Sequence, residues 1–118
     1  MKENVIKNKS FKFALRIVNL YKFLSEKKEF VLSKQLLRSG TAIGALVREA
    51  EHAESKADFI HKMAIALKEA NETEYWIELL YQSEFIEDTA YQSIKIDIEE
   101  MLKLLISIIK TTKQNKKK

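Results

Sequence analysis

No proline interrupts this chain of 118 residues, and its only two glycines stand four apart, in Arg38-Ser39-Gly40-Thr41-Ala42-Ile43-Gly44-Ala45-Leu46-Val47-Arg48. A chain with so few breakers, carrying an apolar period near 3.6 almost end to end, has little choice but helix. The period predicts helices over about 8–27, 33–53, 56–85 and 90–112. Phe13, Ala14, Ile17, Leu20, Tyr21 and Leu24 form the seam of the first. Phe59, Met63, Ala66, Leu67, Ala70, Ile77 and Tyr81 form that of the third, and Ile94, Ile98, Met101, Leu102, Leu105 and Ile109 that of the fourth. There is no strand alternation, internal repeat or second domain. Short turns between helices of similar length predict an all-α fold, an antiparallel up-down-up-down four-helix bundle.

Local signals place the helix starts. Ser33 is positioned to cap the second helix, with Leu32 and Leu37 as a hydrophobic staple. Ser55-Lys56-Ala57-Asp58 reads as a capping box opening the third, and Thr89-Ala90-Tyr91-Gln92 as a box-like start of the fourth. Residues 113–118, rich in lysine, read as a flexible solvated tail.

The glycines need a separate reason, because each costs roughly 1 kcal/mol of helix propensity relative to alanine. At 100° per residue, Leu36, Gly40, Ile43, Gly44, Val47 and Ala50 fall in one apolar arc. The pair therefore predicts close approach of a neighbouring backbone, as in small-xxx-small contacts. The alternative is that Gly40 ends a short helix and another starts at Thr41. A phosphate-cradling loop lacks its preceding strand and its Gly-Lys-Ser/Thr.

Apolar surface exceeds what a monomer needs. With Leu37, Leu46 and Ala53, the apolar arc of the second helix covers more than half its circumference. The third helix carries a second patch at Ile65, Trp76 and Leu79. Gly40, Gly44, Leu46, Ile65, Trp76 and Leu79 are accordingly expected at helix-packing or oligomer contacts, and a homo-oligomer is expected.

Charge is polarised. Residues 1–48 hold 11 Lys/Arg against 3 Asp/Glu, residues 49–109 hold 5 against 14, and residues 110–118 add 5 Lys. Lys9, Lys12 and Arg16 share a face of the first helix, and Lys34, Arg38 and Arg48 one of the second. These six are the candidate nucleic-acid contacts, through salt-sensitive phosphate binding. The competing reading pairs them with acidic residues of the third and fourth helices. A cysteine-free chain excludes a disulfide framework and fits a cytoplasmic setting. No signal peptide is expected from residues 1–8, and no window is long and apolar enough to span a bilayer.

Other chemistry is thin. Glu49-x-x-His52 and Asp58-x-x-His61 have the spacing of di-iron ligands, but they flank the turn between helices two and three and fall off the seams, so no metal or other cofactor is expected. Arg48 and His52 could share a phosphate when the histidine is protonated. Glu74 falls in phase with the core, so it is expected as a buried carboxylate, salt-bridged to Arg16, Arg38 or Arg48. No nucleophile accompanies it, and no catalytic residue is assigned.

The runs Leu36–Ala50, Ser55-Lys56-Ala57-Asp58-Phe59 and Ala66-Leu67-Lys68-Glu69-Ala70-Asn71-Glu72-Thr73-Glu74-Tyr75-Trp76 resemble the 23S ribosomal RNA intervening-sequence protein family. These are bacterial helical bundles, often encoded within inserts in 23S rRNA genes. The resemblance covers about Phe11 to Ile109. It implies a homopentamer around a central channel, without established enzymatic activity. The family is also similar to the accessory protein of diversity-generating retroelements, a basic pentamer that binds nucleic acid and a reverse transcriptase. Here the half beyond Glu49 is acidic, a departure from that relative. The expectation is a non-enzymatic oligomeric scaffold binding RNA or DNA modestly through helices one and two. The alternative is a protein-interaction scaffold, and a metal-dependent or nuclease-like enzyme ranks below both.

Overall fold

A computed structural model describes residues 2–115, with side chains from residue 5 onward. Lys116, Lys117 and Lys118 of the expected tail lie outside the described residues. Four helices account for nearly all the rest, with no strand among the described residues: α1 (Lys2–Glu26), α2 (Leu32–Glu51), α3 (Lys56–Gln82) and α4 (Asp88–Gln114). They form a rod of 51 × 22 × 19 Å. α1 and α3 each pack on both α2 and α4, and among the described residues the backbones of the diagonal pairs stay apart, so the helices stand at the corners of a square.

α1 begins well before residue 8 because Ile6 lies one helical repeat before Phe13 and is fully buried with it. The shared core comprises Phe13, Ile17, Leu24, Leu36, Ile43, Met63, Ile77, Leu80, Ile98, Met101 and Leu105, with smaller residues between them. α4 continues to Gln114, so Lys113 is helical rather than part of a tail.

α2 is continuous through both glycines. A Cβ built on Gly40 would lie 2.8 Å from Cγ1 and 2.9 Å from Cγ2 of Ile17, and one on Gly44 would lie 3.4 Å from the Ser10 carbonyl oxygen. Both glycines thus face α1 of the same chain. Across the other flank of α2, the buried Thr73 hydroxyl donates to Ser39 Oγ at 2.9 Å, an interhelix bond that fixes the register of α2 against α3.

The caps differ from the expectations at two of three starts. Ser33 does not cap α2. Instead the Glu29 carboxylate accepts from the backbone N–H of Val31, Leu32 and Ser33 at 3.2, 3.0 and 2.7 Å, and Ser33 Oγ donates back to the Glu29 carbonyl. A buried carboxylate at a helix N-terminus satisfies three free donors at once and meets the positive end of the dipole. At α3, Ser55 Oγ does accept from Asp58 N–H at 3.0 Å, while Asp58 takes the N–H of Glu54. α4 starts after Glu87 with no side-chain cap, so Thr89 does not open it.

The α1–α2 and α3–α4 turns are built alike. Glu29 N–H bonds the Leu24 carbonyl and Lys28 N–H that of Ser25; Phe85 N–H bonds that of Leu80 and Glu84 N–H that of Tyr81. This is the Schellman pattern, with its left-handed residue at Lys28 (φ 66°) and Glu84 (φ 69°). Both positions favour glycine, yet both glycines of the chain sit inside α2.

Candidate functional site

The six candidate nucleic-acid residues do not share a face. Lys9, Lys12 and Arg16 line a cleft between α1 and α4 together with Phe13, Asp97, Glu100 and Met101. There Lys9 pairs with Glu100 at 3.2 Å, and Arg16 donates to Asp97 at 2.5 Å and to Ser93 Oγ at 2.9 Å. Lys12 makes no ion pair among the described residues. Arg38 turns the other way, across α2/α3, to Glu69 at 3.1 Å and to Glu72. Lys34 and Arg48 reach neither set of acids, and Arg48 turns to α1. Lys34 is exposed, and Arg48 lies over the Phe11 ring, 5.3 Å from its centroid.

The two candidate basic faces, one on helix one and one on helix two, therefore do not merge into one stripe. Lys9 and Arg16 neutralise acids of α4, and Arg38 neutralises acids of α3. The reason is geometric: besides each other, α1 has α4 as its neighbour and α2 has α3, so the cations on those flanks meet acids on opposite sides of the bundle.

The ion pairs shift their members as charge pairing requires. The Arg38 hydrogen bond, then that from the Trp76 indole N–H at 3.0 Å, holds the Glu72 carboxyl below its ordinary value, and Glu72 raises Arg38 in turn. Glu49, 3.0 Å away, raises Lys62.

Glu74 is not the buried salt-bridged carboxylate expected. It is half-buried in a groove of about 470 Å³ between α3 and α4, with Asn71, Tyr75, Glu78, Lys95 and Glu99, and pairs with none of Arg16, Arg38 and Arg48. Its phase lies on the α4 side of the α3 seam rather than at the seam's centre. Tyr91, which lines this groove, stacks on Tyr81 at 3.8 Å, 3° from parallel. Tyr91 donates to Glu78, and Tyr81 to Asp88 at 2.7 Å. The bond to Glu78, then burial, pushes the Tyr91 hydroxyl up to about 12. Glu78 is held below the usual carboxylate range by Gln82 and then Tyr91, and Asp88 by Tyr81 and then Gln92.

His52 shares a shallow groove with Arg48, Glu49, Glu54, Asp58 and Lys62 at the α2–α3 turn, and His61 is exposed. Among the described residues, no three His, Asp or Glu side chains come together to hold a metal ion, and no helix is long and apolar enough to cross a membrane.

Of the residues expected at contacts, Gly40 and Gly44 meet α1 internally. Leu46 and Trp76 pack half-buried against the core, and Ile65 and Leu79 are half-buried on α3. The larger exposed apolar surface is on α1: Phe11 is 50% and Leu15 51% exposed, one turn apart, and Val18 extends the line. Helical phase directs Phe11 and Val18 outward from the α1/α2 face, beside Lys22, Lys34 and Arg48. The spacing of residues 11, 15 and 18, off the core seam, was the available signal for this patch.

The chain is similar to a crystallised protein of unknown function from the S23 ribosomal protein family of Bacteroides thetaiotaomicron VPI-5482. The two are 68% identical, the match covers 93% of this chain and 99% of that one, and the TM-score is 0.91. No curated protein matches the chain. The family model described as 23S rRNA-intervening sequence protein matches residues 2–107, and the chain belongs to that family.

Proposed function

We propose that the protein is a non-enzymatic, cytoplasmic scaffold that assembles side by side with copies of itself, the α1/α2 face of one copy against the α3/α4 face of the next. The observation that carries this reading is the half-exposed Phe11–Leu15 pair. Outer helix faces of a lone bundle are polar, and two adjacent large apolar side chains there lose roughly 1 kcal/mol each by facing water. The opposite face supplies a partner of matching chemistry: the groove with Glu74, Glu78 and Glu99, rimmed by Tyr75, against the basic flank of Lys22, Lys34 and Arg48. Contact between opposite faces is heterologous, and it closes into a ring when the rotation per copy allows. The homopentamer implied by the resemblance is one such ring. The non-enzymatic part draws support from the displaced pKa values: Glu72, Glu78, Asp88, Tyr91 and Lys62 each sit in a contact tying two helices together.

Nucleic-acid binding is the second reading, favoured by Lys34 and Arg48, which no carboxylate neutralises among the described residues. The two readings compete for one face. Sedimentation equilibrium of the full chain tests the first: a multiple of 13.8 kDa at micromolar concentration is expected, falling to a single copy in Phe11→Ser/Leu15→Ser. A monomeric wild type overturns it. Salt-sensitive RNA or DNA binding, lost in Lys34→Ala/Arg48→Ala with the mass unchanged, would assign the face to polyanions instead.

A further inference from the structure

The α1–α2 and α3–α4 turns lie at the same end of the rod, because successive helices are antiparallel. They have the same backbone and opposite charge. At the left-handed position one carries Lys28 and the other Glu84. Lys27 and Lys34 flank the first, with Glu26 its one exposed acid, and Glu87 and Asp88 flank the second. None of Lys28, Lys34, Glu84 and Glu87 makes an ion pair among the described residues. The basic half also carries a knob. Val31 is 74% and Phe30 49% exposed. The backbone beneath them is held, since the N–H of Val31 is one of the three that the buried Glu29 carboxylate accepts. The acidic half carries a hollow, lined by Tyr81, Gln82, Glu84, Ile86 and Glu87.

We propose that this end docks on the same end of a second copy. A two-fold axis through it would set each knob of Phe30 and Val31 against the other copy's hollow, and each Lys28 near a Glu84. Self-complementarity of this kind is what an isologous contact requires. An anionic membrane suits the basic half alone, since it would repel Glu84, Glu87 and Asp88 at the same end. An end of about 22 × 19 Å is smaller than a standard interface, so a single pair associates weakly. Lateral assembly, as proposed above, would present several ends together and strengthen the contact by multivalency. The strength of the contact, though not its existence, rests on that reading.

The test is sedimentation equilibrium of the full chain from micromolar to submillimolar concentration, at low and high salt. The expected result is a step that doubles the mass of the species present, weakened by salt. Val31→Asp and Lys28→Glu should each lower the association constant about tenfold, and Lys28→Glu with Glu84→Lys should restore it. Lys28→Gly is the control for folding, since glycine suits the left-handed position; it should weaken doubling while the bundle stays intact. Failure of the lateral reading would appear as a series of one and two copies. Failure of this one would appear as a lateral species that never doubles, or a doubling indifferent to these substitutions. Binding of wild type to phosphatidylglycerol vesicles, lost in Val31→Asp, without any doubling, would also overturn it.

Discussion

Adding one methyl group at Gly40 or at Gly44 separates the two purposes a helical glycine can serve. Alanine in place of either should gain about 1 kcal/mol of helix propensity. At Gly44 the new Cβ would meet the Ser10 carbonyl oxygen at 3.4 Å, an ordinary contact, so most of that gain should survive. At Gly40 it would meet Ile17 at 2.8 and 2.9 Å, where carbon atoms normally rest about 3.5–4.0 Å apart. Rotation of Ile17 offers no relief. Both γ carbons are struck, the Cβ itself is 3.3 Å away, the side chain is fully buried, and a β-branched residue in a helix has one preferred rotamer. Overpacking of this kind costs about 1–3 kcal/mol. Gly44→Ala should therefore stabilise the fold by up to about 1 kcal/mol, and Gly40→Ala should destabilise it by about 1–2 kcal/mol. Urea unfolding followed by far-UV circular dichroism, at one fixed protein concentration, measures both. The Ile17→Ala background completes a double-mutant cycle: Gly40→Ala should there become stabilising, a coupling of about 2–3 kcal/mol. Equal stabilisation by both alanines in wild type would refute the close-approach argument.

Three further outcomes are expected. Lys28→Gly and Glu84→Gly should each stabilise the fold by about 0.5–1 kcal/mol in the same urea assay, because the left-handed conformation costs other residues about 1–2 kcal/mol and glycine's larger entropy loss offsets only part of this. Glu29→Ala should destabilise by about 1–3 kcal/mol, since it strips the N–H groups of Val31, Leu32 and Ser33 of their shared acceptor; a loss no larger than that of an exposed glutamate would count against the cap. The Tyr91 hydroxyl is raised from 10.0 to about 12, so its contribution to stability is complete below pH 10 and is lost as pH rises from there through 12. Glu72, Glu78 and Asp88 are lowered, so theirs is present above their unfolded values and is lost as pH falls through the folded ones. Thermal unfolding between pH 9 and 12 should show wild type losing stability relative to Tyr91→Phe, and parallel curves would contradict the Tyr91–Glu78 bond.

The helical fold was legible from residues alone because it rests on two local properties, the scarcity of breakers and the 3.6 period, which hold whatever the neighbours do. The same period put both glycines on a packing side, and Ser55 could be read as a cap because its partner Asp58 is three residues away. What the tertiary structure decided are relations between helices. Lys9, Arg16 and Arg38 stand on basic faces of two helices in sequence, but Asp97 and Glu100 approach from α4, Glu69 and Glu72 from α3, and the charge is neutralised on two opposite seams. Glu74 has the phase of a core residue, yet one helical face is wide enough to hold both seam and groove. Ser33 has the right type for an N-cap, but Glu29 reaches the same donors from the preceding turn, whose path is set by the left-handed Lys28. Periodicity records which side of a helix is apolar; which neighbour stands on each side, and so which charges stay free and which apolar residues stay exposed, is set only when four helices close around one core.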